Sequence, residues 1–217
     1  MDAQQQTFVE HDFSRDDLQG AYFSHCQFYR CRFSRCDLTD AQFSHCRFIE
    51  AGDKSGCQFD YAQLENASFE HCDLAMSSFV GAQCNDISIM DCQLQGADFA
   101  RADFGQTLGA ETFVCSASIE RCNLSYCNFE DVQLSQCQLT GNRWQGANLI
   151  GANFRGADLS AGEFSPEQWG TFELSHCNLA DVDLTGLDPR QVNLQGVMIQ
   201  NWQQSQLLET LGVVITN

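Results

Sequence analysis

The chain is poor in proline, poor in positive charge and without a long apolar run, and each shortage narrows what it can be. Two prolines in 217 residues leave no Pro-rich linker. No stretch of about 18 apolar residues occurs, so no membrane-spanning helix is expected. The start MDAQQQTFVEHDF lacks the basic stretch and apolar core of an export signal. A cytoplasmic protein is expected. Eleven Lys and Arg stand against 29 Asp and Glu, a net charge of -18 with a pI near 4.3. Nucleic acid and anionic membranes are polyanions, so direct binding to either is not expected. A basic or DNA-binding protein is the natural partner. C-x2-C zinc pairs, Walker A, G-x-G-x-x-G and H-E-x-x-H motifs are all missing, so no cofactor, metal or enzymatic activity is expected.

What the chain does have is a period of five. Phe or Leu recurs without a break from Phe8 through Phe13, Leu18 and Phe23 to Phe48, and the five-residue frame resumes from Phe59 to Phe104 and from Ile119 to Ile199 with other residues at some centres. These runs hold 36 units, with Phe or Leu at 29 of the centres, and they absorb 15 of the 17 phenylalanines. Two residues before the centre the side chain is usually small: Ala21, Cys26, Cys31, Cys36, Ala41 and Cys46, later Ala97, Ala102, Ala147, Ala152 and Ala157. Five matches neither the 3.6 of a helix nor the 2 of a strand. Positions two apart share a face in extended chain, and the two polar residues after each centre mark a corner. Each unit is then one short side plus a turn. Four right-angled corners close a square coil, and 36 units make about nine coils stacked at about 4.8 Å, a rod roughly 43 Å long. The hand of parallel crossovers favours a right-handed coil.

The pattern breaks twice. Between Phe48 and Phe59 six extra residues, Ala51, Gly52, Asp53, Lys54, Ser55 and Gly56, form loop A. Between Phe104 and Ile119 the frame would put Gly109 in a phenylalanine slot. Thr107, Leu108, Gly109, Ala110, Glu111, Thr112, Phe113, Val114, Cys115 and Ser116 are therefore read as an excursion, loop B. Ten units separate the loops, which places them at opposite corners. Exposed corners tolerate insertions cheaply, but breaks in a strict solenoid also serve binding. Apolar Leu108, Phe113 and Val114 must fold back on the rod or meet a partner. Solenoid ends need caps. Asn201-Trp202-Gln203-Gln204 resembles a capping box, and Gly212 suits a helix stop after Leu211. Residues 1–200 are thus expected to form the rod and 201–217 a short helix with its tail. Trp202, Leu207, Leu208 and Leu211, with the tail Val213-Val214-Ile215, offer more apolar surface than one coil end needs. Homodimerisation through the C-terminal ends is the preferred reading, against capping of a monomer.

Eleven of the 13 cysteines fall at the small position, where a thiol substitutes for alanine. Without an export signal most should be reduced. Ser-His-Cys recurs at Ser24-His25-Cys26, Ser44-His45-Cys46 and Ser175-His176-Cys177, but the histidine sits on a corner while the thiol points inward, so no nucleophile is assembled. His25 and His45 should stack on adjacent coils. Residues 1–50 hold eight acidic and five basic residues (net -3), leaving 21 and six (net -15) for the remainder. Spread along the rod, -18 approaches the charge density of duplex DNA. That suggests DNA mimicry, with a solvated surface as the plainer alternative. Arg30, Arg32, Arg35 and Arg47 are expected to pair with nearby carboxylates.

Units such as Ala147-Asn148-Leu149, Ala152-Asn153-Phe154 and Ala157-Asp158-Leu159 resemble those of the pentapeptide-repeat proteins. That resemblance implies an all-β solenoid, a right-handed quadrilateral β-helix with two projecting loops and a short C-terminal α-helix. Phe13 to Leu18 (FSRDDL), Phe113 to Ile119 (FVCSASI), Gly186 to Val197 (GLDPRQVNLQGV) and Trp202 to Val213 (WQQSQLLETLGV) are similar to the Qnr quinolone-resistance proteins. The Qnr resemblance implies a non-enzymatic homodimer that binds DNA gyrase and topoisomerase IV and protects them from fluoroquinolones, with both loops, loop B above all, taking part. Loop B has only Glu111 charged, so its contact would be apolar or through backbone, via Leu108 or Phe113. The alternative is an acidic, DNA-mimicking rod that inhibits or scaffolds another DNA-binding protein.

Overall fold

The computed structural model describes residues 1–14, 17–108 and 112–214, with backbone only at 106–108 and 112–114. Among these the chain forms ten short strands: β1 Asp2–Gln4, β2 Thr7–Val9, β3 Tyr22–Ser24, β4 Gln27–Tyr29, β5 Gln42–Ser44, β6 Ser68–Glu70, β7 Ser88–Met90, β8 Gly105–Leu108, β9 Thr112–Cys115 and β10 Ser118–Glu120. Strands β1, β3, β5, β6, β7 and β10 lie side by side in one parallel sheet. The ladder runs on through isolated bridges, so that Asp2, Tyr22, Gln42, Ser68, Ser88, Ser118, Gln138, Asp158, Asn178 and Met198 stack in register. Its step is 20 residues, four units of five, except for 26 between Gln42 and Ser68 and 30 between Ser88 and Ser118. The chain is a four-sided β-helix. The insertions lengthen two coils by six and ten residues, and the later rungs of the ladder keep their register.

The centres and small positions fill the interior. Phe13, Phe33, Phe59, Phe79, Phe99 and Phe129 form one stack, with ring centroids 4.5, 4.8, 4.9, 4.7 and 4.8 Å apart and planes within 11° of parallel. The repeat begins one unit earlier than the phenylalanine frame, since Ala3 already lies in the core.

Two features build each corner. Asp or Asn before the centre accepts a bond from the N–H after it: Asp98 Oδ1 from Ala100 at 2.9 Å, Asn153 Oδ1 from Arg155 at 3.0 Å, Asp158 Oδ1 from Ser160 at 3.0 Å. This local bond is why acidic and amide residues favour that position. The second residue after the centre is left-handed, with φ between 51° and 66° at twenty-one described non-glycine residues. Left-handed backbone costs an L-residue roughly 1–2 kcal/mol. The corner N–H offsets this by donating to the next coil, as His25 N–H does to the Ser44 carbonyl at 2.9 Å.

Beyond Phe164 the strict frame gives way. Pro166–Gln168 forms a single 3-10 turn. Trp169, a centre in the frame, is only half-buried, and Phe172 takes the interior place. Proline cannot donate to the ladder, and the amide of Gln168 takes over the bonding. Its Nε2 donates to the carbonyls of Trp144 and Ala147, both at 2.9 Å, and its Oε1 accepts from Ser165 N–H at 2.7 Å. Gln203 repeats this, donating to Leu179 and Val182 at 2.8 and 2.7 Å and accepting from Gln200 N–H at 2.6 Å. Buried Asn142 does the same on another side, donating to Ile119 and Leu139 at 2.6 and 2.8 Å. Near Pro189, likewise a centre in the frame, the buried residues are Leu187 and Val192.

The C-terminal element is a 3-10 turn, Asn201–Gln203, that runs into helix α1, Gln204–Thr210. The cap sits one residue before the Asn201 expected from sequence, because the amide of Gln203 folds back on Gln200. Gln206 docks the helix, accepting from Leu184 N–H at 3.0 Å and donating to Asp183 at 2.7 Å. Among the described residues no helix is long and apolar enough to cross a membrane.

Candidate functional site

Loop A is an enlarged corner. In an ordinary corner the N–H of the small residue bonds to the carbonyl of the preceding centre, as Ala62 does to Phe59 at 3.0 Å. Here Cys57 N–H makes that bond to Phe48 at 3.1 Å across nine residues. Gly56 N–H donates to the Met76 carbonyl at 2.9 Å. A Cβ on Gly56 would stand 2.5 Å from the Ala75 carbonyl oxygen and from Ser77 Oγ, so only glycine fits this approach. The outer face is pinned by Arg30, on the same edge one coil earlier. Its Nη1 donates to Glu50 Oε2 at 2.6 Å and to Asp53 Oδ2 at 2.9 Å, while Nε reaches Glu10 Oε1 at 3.4 Å. Ala51, Gly52, Lys54 and Ser55 are exposed.

Loop B is a hairpin. Strands β8 and β9 pair antiparallel, with Gly105 opposite Cys115, Gln106 opposite Val114, Thr107 opposite Phe113 and Leu108 opposite Thr112. The excursion therefore starts at Gly105, two residues before the sequence reading puts it, and its return strand ends at Cys115. Gly109, Ala110 and Glu111 lie outside the described residues. A disulfide joins Cys115 to Cys137, with Cα atoms 5.6 Å apart. The sequence had Cys137 as a plain slot filler. It fills the slot, fully buried, and also bonds to the loop.

Phe104, from which loop B departs, closes the ladder of Asp37, Gln63, Gln83 and Asp103. Phe48, from which loop A departs, belongs with Gln27 and Arg47, two sides away. The insertions leave opposite corners.

The other eleven cysteines are free and buried. Burial pushes the thiols of Cys127 and Cys177 up to about 12, consistent with inert fillers. Their Sγ atoms donate to backbone, Cys127 to Leu94 at 3.0 Å and Cys177 to Phe154 at 2.9 Å. Among the described residues no group of three His, Cys, Asp or Glu could hold a metal ion.

Of the four arginines expected in ion pairs, Arg30 is fully engaged and Arg32 reaches Asp12 only at 3.9 Å. Arg35 instead lies 6.0 Å from the centroid of the Tyr61 ring. Arg47 lines a shallow groove beneath loop A with Asp53 and Asp73. His25 and His45 stack, with centroids 4.8 Å apart, and His71 continues the column at 4.8 Å. Their neighbouring thiols turn inward, Cys46 donating to the Phe23 carbonyl at 3.5 Å.

At the C-terminal end Trp202, Leu211, Val213, Val214 and Met198 are exposed, whereas Leu207 packs against the core and Leu208 is half-buried. Ile215 lies outside the described residues. Arg190 secures the helix end, donating to the Thr210 carbonyl at 3.2 Å. The same guanidinium holds the Asp188 carboxyl down to about 2.

The profile of the pentapeptide repeats, in eight copies, matches residues 17–51, 116–141 and 133–165. Full-length QnrB1, a plasmid-mediated fluoroquinolone resistance protein, superposes with a TM-score of 0.93 at 40% identity, covering 98% of this chain and 100% of that one. The chain belongs to the pentapeptide-repeat family. A pentapeptide repeat protein of Vibrio parahaemolyticus, VPA0095, is 51% identical over 142 residues, 65% of this chain and 66% of the relative. The quinolone resistance pentapeptide repeat protein QnrB96 of Scandinavium goeteborgense is 41% identical over 113 residues, 52% of this chain and 44% of the relative. The chain thus spans about two thirds of one curated relative and under half of the other.

Proposed function

We propose that this pentapeptide-repeat protein binds the type II DNA topoisomerases, DNA gyrase and topoisomerase IV, and protects them from quinolones. The observation that carries the reading is the likeness to a fluoroquinolone resistance protein over 98% of this chain. The rod supplies no chemistry for this. It holds two differently anchored insertions at opposite corners of a strongly acidic surface, and the charge favours a basic, DNA-binding partner. Loop B makes the decisive contact and loop A supports it. Two copies associate through the exposed apolar end around Trp202 and Leu211, giving a dimer with a loop pair on each arm. The protein acts in the cytoplasm.

The test is gyrase supercoiling in the presence of ciprofloxacin, with and without the purified protein. Rescue at sub-stoichiometric to equimolar protein is expected, and no rescue at any concentration would sink the reading. Inhibition of supercoiling without rescue would favour the second reading, a DNA-mimicking inhibitor, which the density of carboxylates supports. Deleting 107–116 should abolish rescue while the coil keeps its circular dichroism. Charged residues at the exposed Trp202 and Leu211 should yield monomers in light scattering.

A further inference from the structure

The two sulfurs at the foot of loop B stand apart from the other eleven. Cys46, Cys72, Cys92 and Cys122 lie in one column on successive coils, close enough for each N–H to point at the next sulfur at 3.3–3.4 Å, and none of these four is oxidised. Only Cys115 and Cys137 are bonded. Cys115 is also the most exposed of the thirteen, at 7%, whereas its partner is at 0%. It faces Gly105 across the base of the hairpin, and among the described residues β8 and β9 pair only with each other. The disulfide is the one covalent link between the hairpin and the following coil, other than the main chain itself.

We propose that Cys115–Cys137 is a reversible redox tether that sets whether the loop B hairpin is held to the rod. Thiol–disulfide exchange begins at an accessible sulfur, and of the two cysteines only Cys115 has any opening to solvent. The asymmetry of exposure fixes the route. A thiolate of a dithiol reductant attacks Sγ of Cys115, forming a mixed disulfide and expelling the Cys137 thiolate, which takes up a proton inside the coil. The second thiol of the reductant then displaces Cys115. Two protein thiols and one oxidised dithiol result, with two electrons and two protons transferred. Reoxidation by a disulfide such as oxidised glutathione runs the same exchange in reverse. After reduction Cys137 remains an ordinary slot filler, so the coil is kept while the hairpin loses its anchor.

The experiment uses the full chain after incubation with oxidised glutathione or with dithiothreitol. Alkylation with N-ethylmaleimide in denaturant should add eleven groups to the oxidised protein and thirteen to the reduced one. Thirteen in both would overturn the proposal. Hydrogen exchange should then show amides of 105–115 exchanging about tenfold or more faster after reduction, while amides of the coils are unchanged. Equal exchange in the two states would equally overturn it. Cys137→Ser alters the core, so Cys115→Ser serves as the second variant. Both should match the reduced protein and ignore dithiothreitol. These readouts involve no topoisomerase, so they stand or fall separately from the proposed function.

Discussion

Six residues at one corner and ten at the opposite corner solve the same problem, an insertion that must not disturb a stacked coil, by different physics. Loop A keeps the hydrogen bond that closes a normal corner and is held outside by Arg30 between Glu50 and Asp53. Loop B pairs with itself and is anchored by a disulfide. The first attachment is ionic, half exposed and sensitive to salt; the second is covalent and sensitive to reductant. The contrast teaches that either kind of anchor suffices, because the coils on each side stay in register through their own bridges.

The largest effect should come from the interior that both loops share. Phe79, stacked between Phe59 and Phe99 in the coils that separate the insertions, is fully buried. Phe79→Ala should cost about 3–5 kcal/mol in denaturant unfolding. A loss below about 1 kcal/mol would mean that the ladder is not the source of stability.

Next, Gly56→Ala forces a methyl against the Ala75 carbonyl. Overpacking of this kind costs typically about 1–3 kcal/mol. Faster exchange should appear in loop A and not in loop B, and an unchanged loop A would refute the close approach.

A smaller effect of opposite sign is expected just beneath. The hydroxyl of Ser77 is buried without a partner. Ser77→Ala should raise stability by about 1 kcal/mol. A loss instead would show that the hydroxyl is bonded in solution.

The least effect on melting temperature should come from Arg30→Ala, because exposed ion pairs contribute little. Its readout is local: exchange at 50–56 should quicken, and about 1 M salt should do the same to the wild type while leaving 105–115 untouched. Loop B quickening in salt, or loop A in dithiothreitol, would erase the distinction between the anchors.

Most of the coil was legible in the sequence, because one period governs burial, turn and charge together. The lengths of both insertions followed from counting, and the 26- and 30-residue steps of the ladder match them. What escaped were contacts between coils. Glu10, Arg30 and Glu50 are each 20 residues apart, one coil, so the ion pairs over loop A were available to anyone counting in twenties. His71 was hidden only by the six inserted residues, being 26 beyond His45. The disulfide gave no such signal. Cys115 is off the frame and Cys137 looks like every other filler, and their approach depends on where a hairpin of unknown pairing returns. Gln168 and Gln203 escaped for another reason. A polar side chain in the frame reads as surface, and only the structure shows two carbonyls waiting for each amide.

The corner column has one further consequence. The Tyr61 ring lies over Gly81, Met76 over Gly96 and Tyr126 over Gly146, each side chain leaning across the glycine one coil onward. The edges are shingled, all tiles overlapping the same way, because every coil runs parallel to the last. Duplex DNA has no such grain: its antiparallel strands make it read alike from either end. A single rod that stood in for a duplex would therefore lack its dyad. Only two rods joined end to end would restore that symmetry to a partner that expects it.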